Sequence, residues 1–351
     1  MNAPNTFNAQ WLMEQQFPPI SYVVPGVIPE GMTLLVAAPK IGKSWMVLGL
    51  GVELARGGYA FGTLPVGLPR PVLYLALEDG PRRLQDRLTR LAPEEISPSL
   101  EFQVTIETDQ VLGRITSFLA QYAGADPVVI LDTLGKVMPP AGNASQYGHD
   151  YRVMAQLKAT CDAVPGSSLI IVHHTRKGVG TDFLDAVSGT QGIAGAADTV
   201  LVLKRERHED RATLQVTSRD AAEGEYSLIL TDSGAWELDG TDLTEASQAA
   251  QAARATEGVG DRMAEVIATV TRFPEGIKPR DLKTLMPDVS GLDEYLRRAV
   301  DAQRIVKLAR GLYAPVRSVR SVSFGEDALA NSQTHSSHTL LGERYEEAVT
   351  A

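Results

Sequence analysis

The sequence predicts an α/β protein: a mainly parallel sheet with an antiparallel edge, followed by a smaller unit of three helices and a hairpin. Three observations predict it. Between residues 32 and 175, short apolar runs alternate with longer helical patterns, as strands joined by covering helices do. From residue 198 the strand-like runs follow one another directly, which reads as a meander. After residue 257, three short helical patterns precede two strand-like pieces around Gly311.

Each element follows in order. "MTLLVAA" (32–38) reads as a strand entering "PKIGKSW" (39–45), and a helix over 43–56 stops at Gly57-Gly58. "PVLYLALED" (71–79) is the next strand, and "PRRLQDRLTRL" (81–91) an amphipathic helix. "PVVILDT" (127–133) and "SSLIIVHHT" (167–175) are apolar throughout, as buried parallel strands are, with the helical "YRVMAQLKATCDAV" between them. "DTVLVLKRE" (198–206), "ATLQVTSRD" (212–220) and "EYSLILTDSGAWELD" (225–239) form the meander. The expected units are an N-terminal arm (1–22), the core (23–240), a polar, alanine-rich linker (241–256) and a winged-helix domain (257–316). The tail, 317–351, is rich in Ser, His, Thr and Glu and reads as disordered.

Bulk properties narrow the function. No stretch approaches the roughly 20 apolar residues of a membrane helix, and the N-terminus lacks the basic and apolar regions of a leader. Cys161 is the only cysteine, so no intramolecular disulfide can form. The expectation is a cytoplasmic protein with no membrane partner. A net charge of −10 argues against coating duplex DNA, but allows DNA held by a few basic side chains.

The chemistry centres on residues 37–45. The phosphate-loop pattern G-x-x-x-x-G-K-[ST] has alanine, Ala37, at its first position. Gly42, Lys43 and Ser44 match the rest. In such a loop the backbone N–H groups of Ala38, Pro39, Lys40, Ile41, Gly42, Lys43, Ser44 and Trp45 would surround ATP phosphates, proline contributing position only. Lys43 would reach the β- and γ-phosphates, and Ser44 would ligate Mg²⁺. Ala37 only leaves the strand, so it is expected to be tolerated.

Glu78 ends a strand, where ligand crevices open, and is the candidate general base for an attacking water. Asp79 is expected to cap the next helix. Asp132 follows four hydrophobic residues, as a carboxylate holding Mg²⁺ through water does, with Thr133 beside it. His174, ending the next strand, is a candidate γ-phosphate sensor; a buried, backbone-satisfied histidine is the plainer alternative. Lys136, Arg176 and Lys177 lie in loops leaving the same edge and are candidate contacts for single-stranded DNA. The small C-terminal unit carries ten basic side chains against nine acidic ones, unlike the acidic whole. Its candidate recognition helix presents Arg297 and Arg298, and its wing Arg304, Lys307 and Arg310. Duplex DNA or a protein partner is expected there.

These features resemble the RecA-like P-loop ATPases of the hexameric replicative helicase branch, notably plasmid RepA-type helicases and related phage and mobile-element ATPases. The resemblance covers about residues 20–240 and rests on "PKIGKSW", "LYLALED", "VVILDT", "IIVHHTRKG" and "SGTQGIAGAADTVLVL". It implies Glu78 as the catalytic base, His174 as the link between nucleotide state and DNA-contacting loops, and a homo-oligomeric ring, a hexamer. It also implies that Arg219 enters the neighbouring subunit's active site. Many relatives keep a lysine where this chain has Thr217, a departure that leaves Arg219 alone or puts Lys204 or Arg205 in contention. The implied activity is MgATP-driven movement on single-stranded DNA during replication. A filament-forming recombinase, docking through Trp11, Leu12 and Phe17, and an ATP-switched DNA-binding regulator are the other two readings.

Overall fold

The computed structural model describes residues 6–91, 96–138, 146–174, 191–206, 209–256 and 260–316. Helix α1 (Ala9–Glu14) precedes a short hairpin, β1 (Tyr22–Val24) and β2 (Ile28–Pro29). Strand β3 (Gly31–Ala37) runs into α2 (Lys43–Arg56), followed by the small hairpin β4 (Tyr59–Ala60) and β5 (Leu64–Pro65). Next come β6 (Val72–Ala76), α3 (Pro81–Leu91), β7 (Leu100–Gln103), α4 (Val111–Gln121), β8 (Val128–Asp132), α5 (Gln146–Asp162) and β9 (Ser168–His174). After α6 (Gln191–Ala196) stand β10 (Thr199–Lys204), β11 (Arg211–Ser218), β12 (Gly224–Leu230) and β13 (Trp236–Leu238). Helix α7 (Leu243–Thr256) leads to α8 (Asp261–Thr271), α9 (Pro279–Leu285), α10 (Leu292–Asp301) and the hairpin β14 (Ile305–Ala309) and β15 (Leu312–Pro315).

Nine strands form one sheet in the order β13-β12-β11-β10-β3-β9-β8-β6-β7. The strands from β10 to β7 pair in parallel, and β10 to β13 in antiparallel fashion. This is the expected mainly parallel α/β sheet with its antiparallel edge. Strands β3, β6 and β8 are buried along almost their whole length because helices cover both faces. One face buries Leu35, Leu48, Tyr74 and Ile130; the other buries Leu34, Leu73, Val129, Ile171 and Phe118.

Three findings differ from the sequence reading. Helices α1, α4 and α6, strand β7 and the hairpins β1–β2 and β4–β5 are elements that reading does not contain. The 225–239 segment is two strands, β12 and β13, joined by a turn held by Thr231 N to Ala235 O at 2.9 Å. The linker is helix α7, whose Ala246 and Ala250 are buried; an alanine face suffices for a helix lying close against a sheet.

Helices α8 to α10 and the last hairpin enclose a core of their own, with Val266, Ile267, Val270, Leu282, Leu296 and Ile305 at its centre. Ile277 and Tyr313 exchange two backbone hydrogen bonds, 2.7 and 3.0 Å, adding a third strand-like segment beside the hairpin. Arg176, Lys177 and the tail from residue 317 lie outside the described residues.

Candidate nucleotide site

The parallel strands β3, β6, β8 and β9 all end at one edge of the sheet, and Lys43, Glu78, Asp132 and His174 meet there. Ala37 is the last residue of β3, fully buried, with His174 and Leu203 as its neighbours in register. Its backbone continues an ordinary strand, so no glycine is needed. The unusual conformations come later, at Lys40 with φ +66° and Gly42 with φ +108°. Gly42 is also crowded. A Cβ there would lie 2.9 Å from the Trp236 ring. The Trp236 indole Nε1–H donates to the Gly42 carbonyl at 3.0 Å. Ala38, Pro39 and Lys40 are exposed, whereas Ile41 is buried under the loop.

Lys43 opens α2 with only 5 % of its surface exposed. Its Nζ donates to the carbonyl oxygens of Ala37 at 2.7 Å and Ala38 at 2.9 Å, and lies 3.0 Å from His174 Nδ1. Burial pushes its ammonium group down from the usual 10.5 to about 8, although the nearby carboxylates of Asp132 and Glu78 oppose the shift.

Asp132 ends β8 and is 1 % exposed. Tyr74, fully buried in β6, donates its hydroxyl to Asp132 Oδ2 at 2.7 Å. Burial raises the Asp132 carboxyl above the usual range, while Tyr74 and the Ser44 hydroxyl hold it back. Among the described residues, its buried Oδ1 has no hydrogen-bond partner of ordinary geometry. Burial, then the Asp132 charge, raises Tyr74 well above the usual tyrosine value, so this hydroxyl keeps its proton and remains a donor.

Glu78 stands just beyond β6. Its Oε1 accepts from Thr133 Oγ1 at 3.1 Å and lies 3.7 Å from His174 Nε2. Lys43, His174, Glu78 and Thr133 thus form one continuous chain of contacts. Lys136 is exposed on the turn after Thr133, at the same edge.

Asp79 departs from its expected role. Its carboxylate accepts from Arg83 at 2.8 Å and from Arg87, both on α3, so it fastens that helix through side chains instead of capping its N–H groups. The same face of α3 brings Arg87 and Arg90 over Trp45, 5.2 and 4.9 Å from its ring centre. Trp45 is therefore a packing anchor between α2 and α3.

Arg219 is not at this edge. Its N–H bonds to Asp198 O, and Asp198 N–H bonds to Met32 O, which sets Arg219 beside the start of β3. The five steps from Met32 to Ala37 span about 17 Å at 3.3 Å per residue, beyond the reach of an arginine side chain. Its guanidinium meets Gly195 O at 3.2 Å and Asp198 at 3.8 Å and stays 61 % exposed. Lys204 instead ends β10, one residue past the partner of Ala37, and Arg205 follows it, 5.9 Å from the centre of the Trp236 ring. In the C-terminal unit Arg297 and Arg298 are both exposed, and Arg297 pairs with Glu294 at 3.0 Å.

Sequence reasoning missed Tyr74 and Trp236. A lone tyrosine within the aliphatic run "VLYLA" was the available signal, because a hydroxyl buried there must find a partner. Trp236 left none, since its partner lies 194 residues away.

A model of the AAA domain family matches residues 3–180. The DNA repair protein RadA of Streptococcus pneumoniae (strain ATCC BAA-255 / R6) is 25 % identical over 216 residues, covering 60 % of this chain and 44 % of that protein. The chain therefore spans less than half the length of this curated relative. Among solved structures, a DnaB-like replicative helicase aligns with a TM-score of 0.47 and 14 % identity, covering 59 % of this chain and 57 % of that one. The RadB recombinase aligns at 0.44 and 16 %, covering 62 % and 92 %. With the family match spanning half its length and the phosphate loop seated between β3 and α2, the chain belongs to the AAA domain family.

Proposed function

We propose that the protein is an ATPase that hydrolyses MgATP between subunits of a ring, a hexamer, and uses the energy to move along single-stranded DNA during replication. One observation carries the hydrolysis: Lys43, Asp132, Glu78, Thr133 and His174 are joined by side-chain contacts or proximity at the edge where the phosphate loop begins α2. The loop amides and Lys43 bind the phosphates. Glu78 accepts the proton of the attacking water, with Thr133 orienting its carboxylate.

The donors suit Mg²⁺. Asp132 offers a buried oxygen, Oδ1, that accepts no hydrogen bond of ordinary geometry among the described residues, and Ser44 offers a hydroxyl close to the same carboxylate. Such an oxygen-only pair is what Mg²⁺ takes when phosphates and water complete its shell. When bound, the ion neutralises charge on the phosphates.

Arg219 supports assembly. Far from its own loop and exposed, it serves in trans, where an arginine is worth about 10³–10⁵ in rate. The RadA likeness supports a DNA-associated role. Lys136, Arg176 and Lys177 would contact the strand, and the C-terminal unit, read as a winged helix, would present Arg297 and Arg298 to duplex DNA or a partner. A second reading, a recombinase filament, is favoured by α1, which buries none of its residues and leaves Leu12 and Met13 exposed, with Phe17 exposed beyond it.

The test is ATP hydrolysis with and without single-stranded and duplex DNA, with particle mass measured alongside. Glu78→Gln should lower turnover about 10²–10⁴-fold while nucleotide still binds. Mixing Arg219→Ala with Glu78→Gln should restore part of the activity, because intact interfaces form in the mixture. Hydrolysis indifferent to DNA in a monomer would sink the motor reading, and a filament that binds single strands without moving would favour the recombinase.

A further inference from the structure

A charged lysine has three N–H donors and no acceptor. At Lys43 all three are taken up within the protein: by Ala37 O, by Ala38 O and by His174 Nδ1. A ring nitrogen facing an ammonium group must act as acceptor, so the His174 proton sits on Nε2, the nitrogen that faces Glu78 Oε1 at 3.7 Å. The one imidazole therefore touches both the cation expected to hold phosphate and the carboxylate expected to activate water.

We propose that His174 is a positioning residue that holds the place of a phosphate oxygen on Lys43 until nucleotide arrives, and that its release then steadies Glu78. The inference rests on the ATPase reading and deepens it. A phosphate oxygen entering the loop competes for the N–H that Nδ1 accepts. The carbonyls of Ala37 and Ala38 belong to the loop itself, whereas the imidazole is the partner that can turn away. Once Lys43 leaves it, Nε2–H is free to close the gap to Glu78. Glu78 is then held by two donors, Thr133 Oγ1 and His174 Nε2, instead of one close donor.

This exchange predicts opposite effects on binding and turnover. Removing the imidazole frees Lys43 in advance, so nucleotide should bind more tightly; it also strips a donor from Glu78, so turnover should fall. A merely structural residue would weaken both. With its side chain 38 % exposed, truncation of His174 leaves no buried cavity.

The experiment is calorimetric titration with Mg²⁺ and a non-hydrolysable ATP analogue, alongside steady-state hydrolysis, on wild type, Lys43→Ala, His174→Ala and His174→Asn. His174→Ala should bind the analogue about three- to tenfold more tightly, the worth of one hydrogen bond, with kcat reduced at least about tenfold. Asparagine keeps an acceptor near the Nδ1 position but cannot reach Glu78. His174→Asn should therefore bind like wild type and turn over as slowly as the alanine variant. Lys43→Ala should lose binding. A second measurement needs no nucleotide: NMR of ring-labelled histidine should find His174 in the Nε2–H tautomer.

If His174→Ala binds no tighter than wild type, or His174 carries its proton on Nδ1, the exchange is overturned while the ATPase reading stands. If wild type binds no nucleotide, that reading fails and takes the exchange with it.

Discussion

The two ends of β3 each hold a lysine among carboxylates, and they are built to opposite purposes. At the start of the strand, Asp198 accepts from Met32 N–H at 3.0 Å and from Lys158 Nζ at 2.8 and 2.7 Å, and Lys158 also holds Asp162 at 3.0 Å. With the Arg219 guanidinium 3.8 Å from Asp198 as the second cation, that cluster is neutralised and closed, and it ties β3, β10 and α5 together. At the other end, Lys43 is paired with uncharged acceptors, and Asp132 has a tyrosine for a partner instead of a cation. Both groups are shifted toward their neutral forms by burial. A charge matched by its counter-ion makes a clamp; a charge buried without one costs stability and leaves affinity for a ligand.

The contrast can be broken most forcefully through Lys43. Its folded value near 8 lies below the usual 10.5, so between these pH values the unfolded chain binds more protons than the folded one. Stability should therefore rise with pH across that window, by about 3 kcal/mol in total at 1.36 kcal/mol per pH unit. Lys43→Met should lack this rise, so urea denaturation of the two proteins at pH 7.5 and pH 10.5 should give a stability difference that narrows or reverses. A difference independent of pH would mean that Lys43 is not buried as a cation.

A smaller effect separates the two carboxylates. Asp198→Ala should cost about 2–3 kcal/mol by leaving Met32 N–H without its acceptor and Lys158 with one carboxylate, Asp162, in place of two. Asp132→Asn should leave stability unchanged or raise it, because it removes a buried charge and keeps an acceptor for Tyr74, while hydrolysis is lost. Thermal melting with parallel activity assays reads both. Equal destabilisation would mean that the two ends are alike. The smallest effect is expected at Trp236→Phe, which loses one hydrogen bond to Gly42 and should cost about 1 kcal/mol. Nucleotide affinity should fall with it, as the loop carbonyl is released.

How far the sequence reached can be judged from particular residues. Lys43, Ser44, Glu78, Asp132 and His174 were legible because each sits at a fixed offset from an apolar run, and runs of that kind become parallel strands ending at one edge. Helix α7 was hidden because its buried face is alanine, which barely distinguishes itself from a polar connector. Strand β7 is a four-residue edge strand with only Leu100 buried, too short and too mixed to show a period.

By itself the sequence determined the strand-and-helix alternation, the phosphate loop and the acidic residues that follow two strands, since all of these depend on neighbours within a few positions. Only the tertiary structure decided that Tyr74 holds Asp132, that Trp236 closes over Gly42, that His174 bridges Lys43 and Glu78, and that Arg219 stands at the far end of the sheet. Those relations depend on which strands pair and in which direction. Register and direction are set by burying whole faces at once, a property of the assembled core and not of any one segment.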